Sequence, residues 1–328
     1  MQRLAQICLG FCLSLSSAAA VAEPEAIALL ERMGSAAKQL NYDGVFTYQT
    51  GRKVQAIRII HSANENGEVE RLLSLNGAAR ELIRTNDLVT CIFPEGKRIN
   101  IDRRPLGRGF PSDLLSRMSS AIPYYDITIG EKGRVANRKA RQLVVTPVDG
   151  YRYGYHLWVD EETDLLLQSD LLTEKRQVLE RFTFSSININ VDIPELALQP
   201  QIEGQELTWN RNQTEPVSKA KRKDKDDEAA SSLWQIAWLP DGFALVAEQS
   251  RRKSNGMVVK QRVYSDGLSS VSVFLEQKTL AHGHLEGGTR MGAVNAFGLI
   301  ADTHFITAVG QVPGHTVEKI GRSIKVAD

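Results

Sequence analysis

The 328-residue sequence predicts a mainly β chain in two unequal parts: a strongly curved antiparallel sheet with a few helices, followed by a smaller α+β module. Three observations carry that expectation. Apolar and polar residues alternate with period two through about ten short runs. The gaps between these runs are of hairpin length, which excludes the strand–helix alternation of a parallel sheet. A block of mixed charge, KAKRKDKDDE at residues 219–228, then interrupts the chain with no apolar side chain larger than alanine.

The first element is a leader. In MQRLAQICLGFCLSLSSAAAVA a single Arg3 precedes an apolar run from Leu4 to Leu15, and the segment ends in Ala20-Val21-Ala22. That is the pattern of a secretory signal peptide cut after Ala22. The run is about a dozen residues, short of the about 20 that a membrane span needs. Bulky Phe11 ahead of Cys12 argues against lipid attachment there. Cys8 and Cys12 leave with the leader, so Cys91 remains alone and no intramolecular disulfide is expected. In DLVTCIF it alternates with Val89 and Phe93, which makes it a core thiol. The 306 residues left after removal of the leader suffice for two cores.

Charge excludes one class of partner. Forty basic residues face 39 acidic ones, whereas nucleic-acid binders concentrate a basic excess on one face. KAKRKDKDDE is therefore a solvated spacer, because such composition cannot bury enough surface to offset its ordering entropy. The expected organisation is a leader over 1–22, a first domain over 23–210, a charged linker over 211–232 and a second domain over 233–328.

The first domain opens on PEAIALLERMGSAAKQL, in which Ala26, Leu30, Met33, Ala37 and Leu40 form one helical stripe. Strand patterns follow in GVFTYQT, KVQAIRIIHS, EVERLLSL, ARELIRT and DLVTCIF. A second helical stretch, PSDLLSRMSSAI, follows the RRPLGRGFP loop, and strands resume through YYDITIG, ARQLVVTPV, RYGYHLWVD, LLLQSDLLT and QVLERFTFSSI. The second domain reads as strands in FALVAEQSRR, MVVKQRVYS, LSSVSVFLE and HFITAVG, with turns at Asp241-Gly242 and Asp266-Gly267. Val317, Ile320 and Ile324 predict a terminal helix.

Catalytic patterns are sparse. The chain has no G-x-S-x-G, H-E-x-x-H, Walker loop or C-x-x-C. Gly107-Arg108-Gly109 begins a nucleotide-type G-x-G, but Ser112 stands where the third glycine belongs. His282 and His284, with Glu286 nearby and His304 and His315 downstream, have a metal-like spacing within a glycine-rich segment that reads as a loop of solvated histidines. Neither a metal nor a cofactor is expected. What remains is a binding surface. Tyr151, Tyr153, Tyr155, Leu157 and Val159 alternate with Arg152, His156 and Trp158, so this strand is expected to be covered on both faces. Phe46 with Tyr48, and Phe182 with Phe184, share strand faces, and Tyr124 and Tyr125 follow Pro123 near an expected opening. A curved sheet only partly filled by helices can hold an acyl chain or an apolar peptide, with simple core packing as the plainer reading of each residue.

Taken in order, LNYDGVFTYQ, RLLSLNGAARELIR, the run from IPYYDITIG through GYRYGYHLWVDEETDLLLQSDLL, VLERFTF, WLPDGFALV, RVYSDGLSSVSVFLE and VGQVPGHTVEKIGRSI resemble the MucB/RseB family over essentially the whole mature chain. The resemblance implies an unclosed antiparallel β half-barrel with helices, similar to LolA and LolB, plus a small partner-gripping α+β domain. It implies a non-enzymatic regulator in the periplasm. The implied partner is the periplasmic region of a single-pass anti-sigma factor of the RseA or MucA type, shielded from regulated proteolysis and let go on lipid A or lipopolysaccharide-like signals. Homodimerisation is compatible with it. The family supplies no short motif of functional residues, so site candidates follow from facing and aromatic content. For lipid they are Phe46, Tyr48, Tyr124, Tyr125, Tyr153, Tyr155, Trp158, Phe182 and Phe184; for the partner they are Trp238, Phe243, Arg262, Tyr264 and Phe274. The main alternative is a lipid or lipoprotein carrier of the LolA type, which leaves WLPDGF without a task; a hydrolase or metalloenzyme built on His282 ranks below it.

Overall fold

The computed structural model describes residues 24–65, 67–86, 88–94, 121–210, 234–252, 257–278 and 286–326. The leader, the KAKRKDKDDE block, Gly107 to Gly109, His282 and His284, and all of PSDLLSRMSSAI but its last two residues lie outside them. Helix α1 (Pro24–Gln39) buries Ala26, Leu29, Leu30, Met33, Ala36 and Ala37, the stripe expected from its spacing and somewhat wider.

Two antiparallel meanders follow. The first is β1 (Tyr42–Thr50), β2 (Lys53–Asn64), β3 (Gly67–Ser74), β4 (Glu81–Thr85) and β5 (Leu88–Phe93). The second starts after a 3-10 turn at Ile122–Tyr124 and comprises β6 (Tyr125–Val135), β7 (Arg138–Pro147), β8 (Gly154–Asp160), β9 (Leu166–Leu172) and β10 (Val178–Ile189). Pairing of β1 with β10 fuses them into one sheet, and β11 (Gln205–Asn210) adds to β5. The order β11-β5-β4-β3-β2-β1-β10-β9-β8-β7-β6 runs from one free edge to the other, so these eleven strands form an unclosed sheet.

Register explains how this sheet buries its apolar set. Phe46 lies opposite Phe184 and Tyr48 opposite Phe182, with Ile57 opposite Phe46 on the other side. Residues directly opposite share a face, so one face of β1, β2 and β10 becomes continuously apolar. Helix α1 covers the same face farther along, over Ile127, Leu143, Val145, Leu157, Val159 and Leu166. We call this the inner face.

The other face carries a buried ion pair. Arg71 on β3 bonds Glu81 on β4, and its Nη1 donates to the Ala197 carbonyl at 2.8 Å. The second oxygen of Glu81 accepts the amides of Gln201 and Ile202, both at 2.9 Å. This cluster straps residues 197–202 across the sheet.

The second unit is built on a six-stranded antiparallel sheet in the order β13-β14-β15-β18-β17-β16. Its strands are β13 (Ala244–Arg252), β14 (Val258–Ser265), β15 (Ser270–Gln277), β16 (Gly287–Met291), β17 (Val294–Ala301) and β18 (His304–Gly310). Helix α2 (Gly314–Arg322) packs Val317 and Ile320 on Val271, Val273, Phe297 and Ile306. Two short strands, β12 (Trp234–Ile236) and β19 (Ile324–Val326), pair beside it. Ile324 is therefore a strand residue and not the last turn of the helix, although its side chain joins the same core.

Candidate functional site: the seam between the two sheets

The two units meet along a seam made mostly of turns. Strand β8 starts only at Gly154, so Tyr151, Arg152 and Tyr153 leave the expected strand and form the loop that enters the second unit. Arg152 is 1% exposed although it carries a charge. Its Nε donates to Asp266 Oδ2 at 2.6 Å, its Nη1 bonds the Asp149 carboxylate, and its Nη2 bonds the Asp241 carbonyl. Its guanidinium carbon lies 4.9 Å from the Tyr124 ring centroid and 5.2 Å from that of Phe243. A buried charge survives only when paired and hydrogen-bonded, and both conditions are met here across the two units. Burial pulls the Arg152 pKa down, but the hydrogen bond it donates to Asp266 and the charge of Asp149 outweigh it and leave the group held charged.

The Asp-Gly turns are shaped for this contact. Asp266 Oδ1 accepts the amides of Leu268 and Ser269 at 2.8 and 2.7 Å, which fixes the turn and leaves Oδ2 for Arg152. Gly242 has φ of +82°, and a Cβ there would run into the Tyr124 ring. Only glycine adopts that conformation and admits that approach without strain. Tyr125 contributes a 3.3 Å contact from its hydroxyl to Ser269 Oγ; burial, then the Asp266 charge, pushes its pKa well up.

Further along, Asn295 Nδ2 donates to Tyr153 Oη at 2.9 Å and to the Val312 carbonyl at 2.7 Å. Glu180 Oε2 accepts Tyr48 Oη at 2.7 Å from its own sheet and Gln311 Nε2 at 3.0 Å from the second unit. At the far end Lys319 Nζ donates to Tyr151 Oη at 2.7 Å and sits 3.9 Å from the Trp238 ring centroid, while Tyr151 meets Trp238 edge-on at 4.8 Å. His315 Nε2 lies 2.8 Å from the Gly150 carbonyl, so this imidazole is committed to the seam. Among the described residues no group of three or more His, Cys, Asp or Glu side chains could hold a metal.

The candidate residues thus fall into separate groups. Phe46, Phe182 and Phe184 come together on the inner face with ring centroids 4.7 to 5.9 Å apart, and Tyr48 adjoins them. They fill their own space. Tyr124, Tyr125 and Tyr153 are not grouped with them: they meet Gly242, Ser269 and Asn295 of the second unit. Tyr155 packs beside both Tyr153 and the α1 cluster. Trp158 is on the opposite face of β8 from Tyr155, as strand parity requires, lying against Gly133 and at the margin of the cluster that holds Phe46, Phe182 and Phe184. In the second unit Trp238 and Phe243 belong to the seam, whereas Arg262 stacks 4.4 Å over Trp234 and bonds Glu248. Tyr264 is in the core, and Phe274 is half-buried on the other face of β15 from Val273. Sequence reasoning missed Arg152, Asp149, Asp266 and Asn295 as a set. The only trace was that IPYY, VDGYRYGY, WLPDGF, YSDGL and VPGHTVEK each combine a turn signal with aromatic or charged residues, and all five converge here.

An open β sheet locked side-on to a small α+β unit, with an aromatic and ionic joint between them, defines a two-unit binding scaffold. Residues 25–202 match the MucB/RseB N-terminal domain and residues 228–325 match the MucB/RseB C-terminal domain. The chain belongs to the MucB/RseB family. It is 33% identical over 322 residues to the sigma factor AlgU regulatory protein MucB of Pseudomonas aeruginosa, covering 95% of this chain and 94% of that protein. Among solved structures it is similar to the complex of Pseudomonas aeruginosa MucA and MucB, with TM-score 0.70, 31% identity, and coverage of 93% of this chain and 99% of that one. A crystal structure of MucB with MucA(peri) matches with TM-score 0.69 and 30% identity over 92% of this chain and 99% of that one.

Proposed function

We propose that this protein is an exported, non-enzymatic regulator. It binds the periplasmic region of a membrane-anchored anti-sigma factor, shields it from regulated proteolysis and so restrains an envelope-stress sigma factor. The observation that carries this reading is the likeness of the whole chain, both units together, to MucB in complex with MucA(peri). The seam supports it physically, because two units held in one arrangement offer a partner a composite surface at little ordering cost. The division into units at 23–210 and 233–328, with 211–232 as tether and cleavage of the leader after Ala22, belongs to the same reading.

Release by lipid A or lipopolysaccharide is its second half. Phe46, Tyr48, Phe182 and Phe184 are the inner-face groups suited to an acyl chain, and since they pack on one another, a chain enters only by displacing rings. Lipid then has to favour the partner-free state, since equal affinity for both states shifts nothing.

The test is calorimetric titration of residues 23–328 with the soluble periplasmic fragment of the anti-sigma factor, with and without lipopolysaccharide. Binding that lipid weakens is the expected result. Binding indifferent to lipid would move the sensor to another protein, and absence of binding would sink the regulator.

A further inference from the structure

We infer that the Arg152 cluster is a latch: the partner is held only while the seam is closed, and letting the partner go requires the seam to open. This rests on the function proposed above. Three features separate the cluster from ordinary core packing. Every ligand of the guanidinium other than Asp149 and Tyr124 comes from the second unit, namely Asp266, the Asp241 carbonyl and the Phe243 ring. Separation of the units therefore strips Arg152 of three of these five partners at once. Both members of the Arg152–Asp266 pair are buried, so intermediate geometries gain neither full hydration nor full pairing. That favours two discrete arrangements over a continuous wobble. Finally, the polar contacts at the seam's rim are replaceable by water, namely Gln311 on Glu180, His315 on the Gly150 carbonyl and Lys319 on Tyr151, so that what resists opening is concentrated at Arg152 and at the buried Asn295–Tyr153 and Tyr125–Ser269 contacts.

Opening has a second consequence. It bares Tyr124, Tyr151 and Tyr153 on one unit, against which Gly242, Trp238 and Asn295 of the other now lie. Any apolar ligand that takes up those rings binds the open state alone and so works against the partner. The closed seam is in this sense an autoinhibitory contact.

Asp266→Asn tests the latch selectively. The amide keeps an Oδ1 acceptor for the Leu268 and Ser269 amides, so the turn stays capped, while an NH2 donor replaces Oδ2 and removes both the charge and the acceptor opposite Arg152. The experiment uses residues 23–328 with spin labels on cysteines placed at exposed Leu196 and exposed Met291, one per unit; Cys91 is buried and stays unlabelled. A narrow distance distribution in the parent should broaden or shift in the variant. Affinity for the anti-sigma fragment should fall about tenfold or more, as truncation of a buried pair does at interfaces. Lys319→Met, at an exposed site with no folding risk, should do the same to a smaller degree. An unchanged distribution in both variants overturns the latch, and so does a broadened one with unchanged affinity. Failure of the parent to bind the fragment at all would overturn the proposed function instead, since the distance measurement requires no partner.

Discussion

Two buried arginine–carboxylate pairs in this molecule look alike and do different things. Arg71 and Glu81 sit on neighbouring strands of one sheet and tie down the segment that leads toward the charged block. Arg152 and Asp266 sit on turns of different units. Both are dry, and both satisfy further hydrogen bonds. The first pair is surrounded by structure that forms whether or not anything else moves, so its loss is a loss of stability. The second is the contact between bodies with separate cores, so its loss is first of all a change of arrangement. Burial alone does not say which role a charge pair has; the elements that supply it do.

The comparison can be pushed hardest at Glu81. Glu81→Ala leaves Arg71 buried without its counter-charge and orphans two backbone amides. It should destabilise the first unit by about 3–5 kcal/mol, seen as a drop in melting temperature by circular dichroism. An effect under about 1 kcal/mol would mean that the strap is hydrated and the likeness between the pairs superficial. Gly242→Ala acts on the other side. A methyl group there meets the Tyr124 ring at a backbone angle that costs about 1–2 kcal/mol in an L residue. The expected outcome is a disturbed seam with both cores intact, checked by unit-to-unit distance together with unchanged near-ultraviolet signals from buried Trp234.

A third ion pair calibrates the scale. Asp160 accepts two hydrogen bonds from Arg138 and one each from the Thr163 hydroxyl and amide. Burial pushes its pKa up, but these donors outweigh burial and hold it below the usual carboxylate range. A depressed carboxylate contributes stability that is full above its unfolded pKa of about 3.9 and lost as pH falls through the lower folded value. Asp160→Asn should therefore lower the urea midpoint near neutral pH, and the gap to the parent should close on acidification below about pH 4. A gap independent of pH would assign the effect to lost packing.

Much of the fold was legible because periodicity is a local property. Alternation marked β1 to β10, the stripe from Ala26 to Ala37 marked α1, and the Asp-Gly pairs marked the turns of the second unit. Five strands escaped for physical reasons. WQI (β12) and IKV (β19) are three residues each, too short to show a period. In QELTWN (β11) and GGTRM (β16) polar and small residues dominate, and strand β17, VNAFGLIA, has an apolar run without alternation. The seam was least legible. Pairing Arg152 with Asp266 spans more than a hundred residues, and no pattern in either segment announces the other. The aromatic residues were recognised as unusual, but their facing depends on where β8 begins. A start three residues later than expected moved Tyr151 and Tyr153 out of the sheet and into the joint.

Strand order also governs how this protein is made. Tyr42 pairs with Ile189, so the sheet cannot be completed until its tenth strand has been delivered, and β1 waits with one unpaired edge while the second meander forms. Long-range antiparallel closure is slow, and open strand edges invite wrong pairing in the interval. A chain that folds only after export would spend that interval in a compartment where the unfinished edge of β1 has to be kept from other chains. Its supply of functional molecules is therefore expected to be among the first to fall when that compartment fills with unfolded protein.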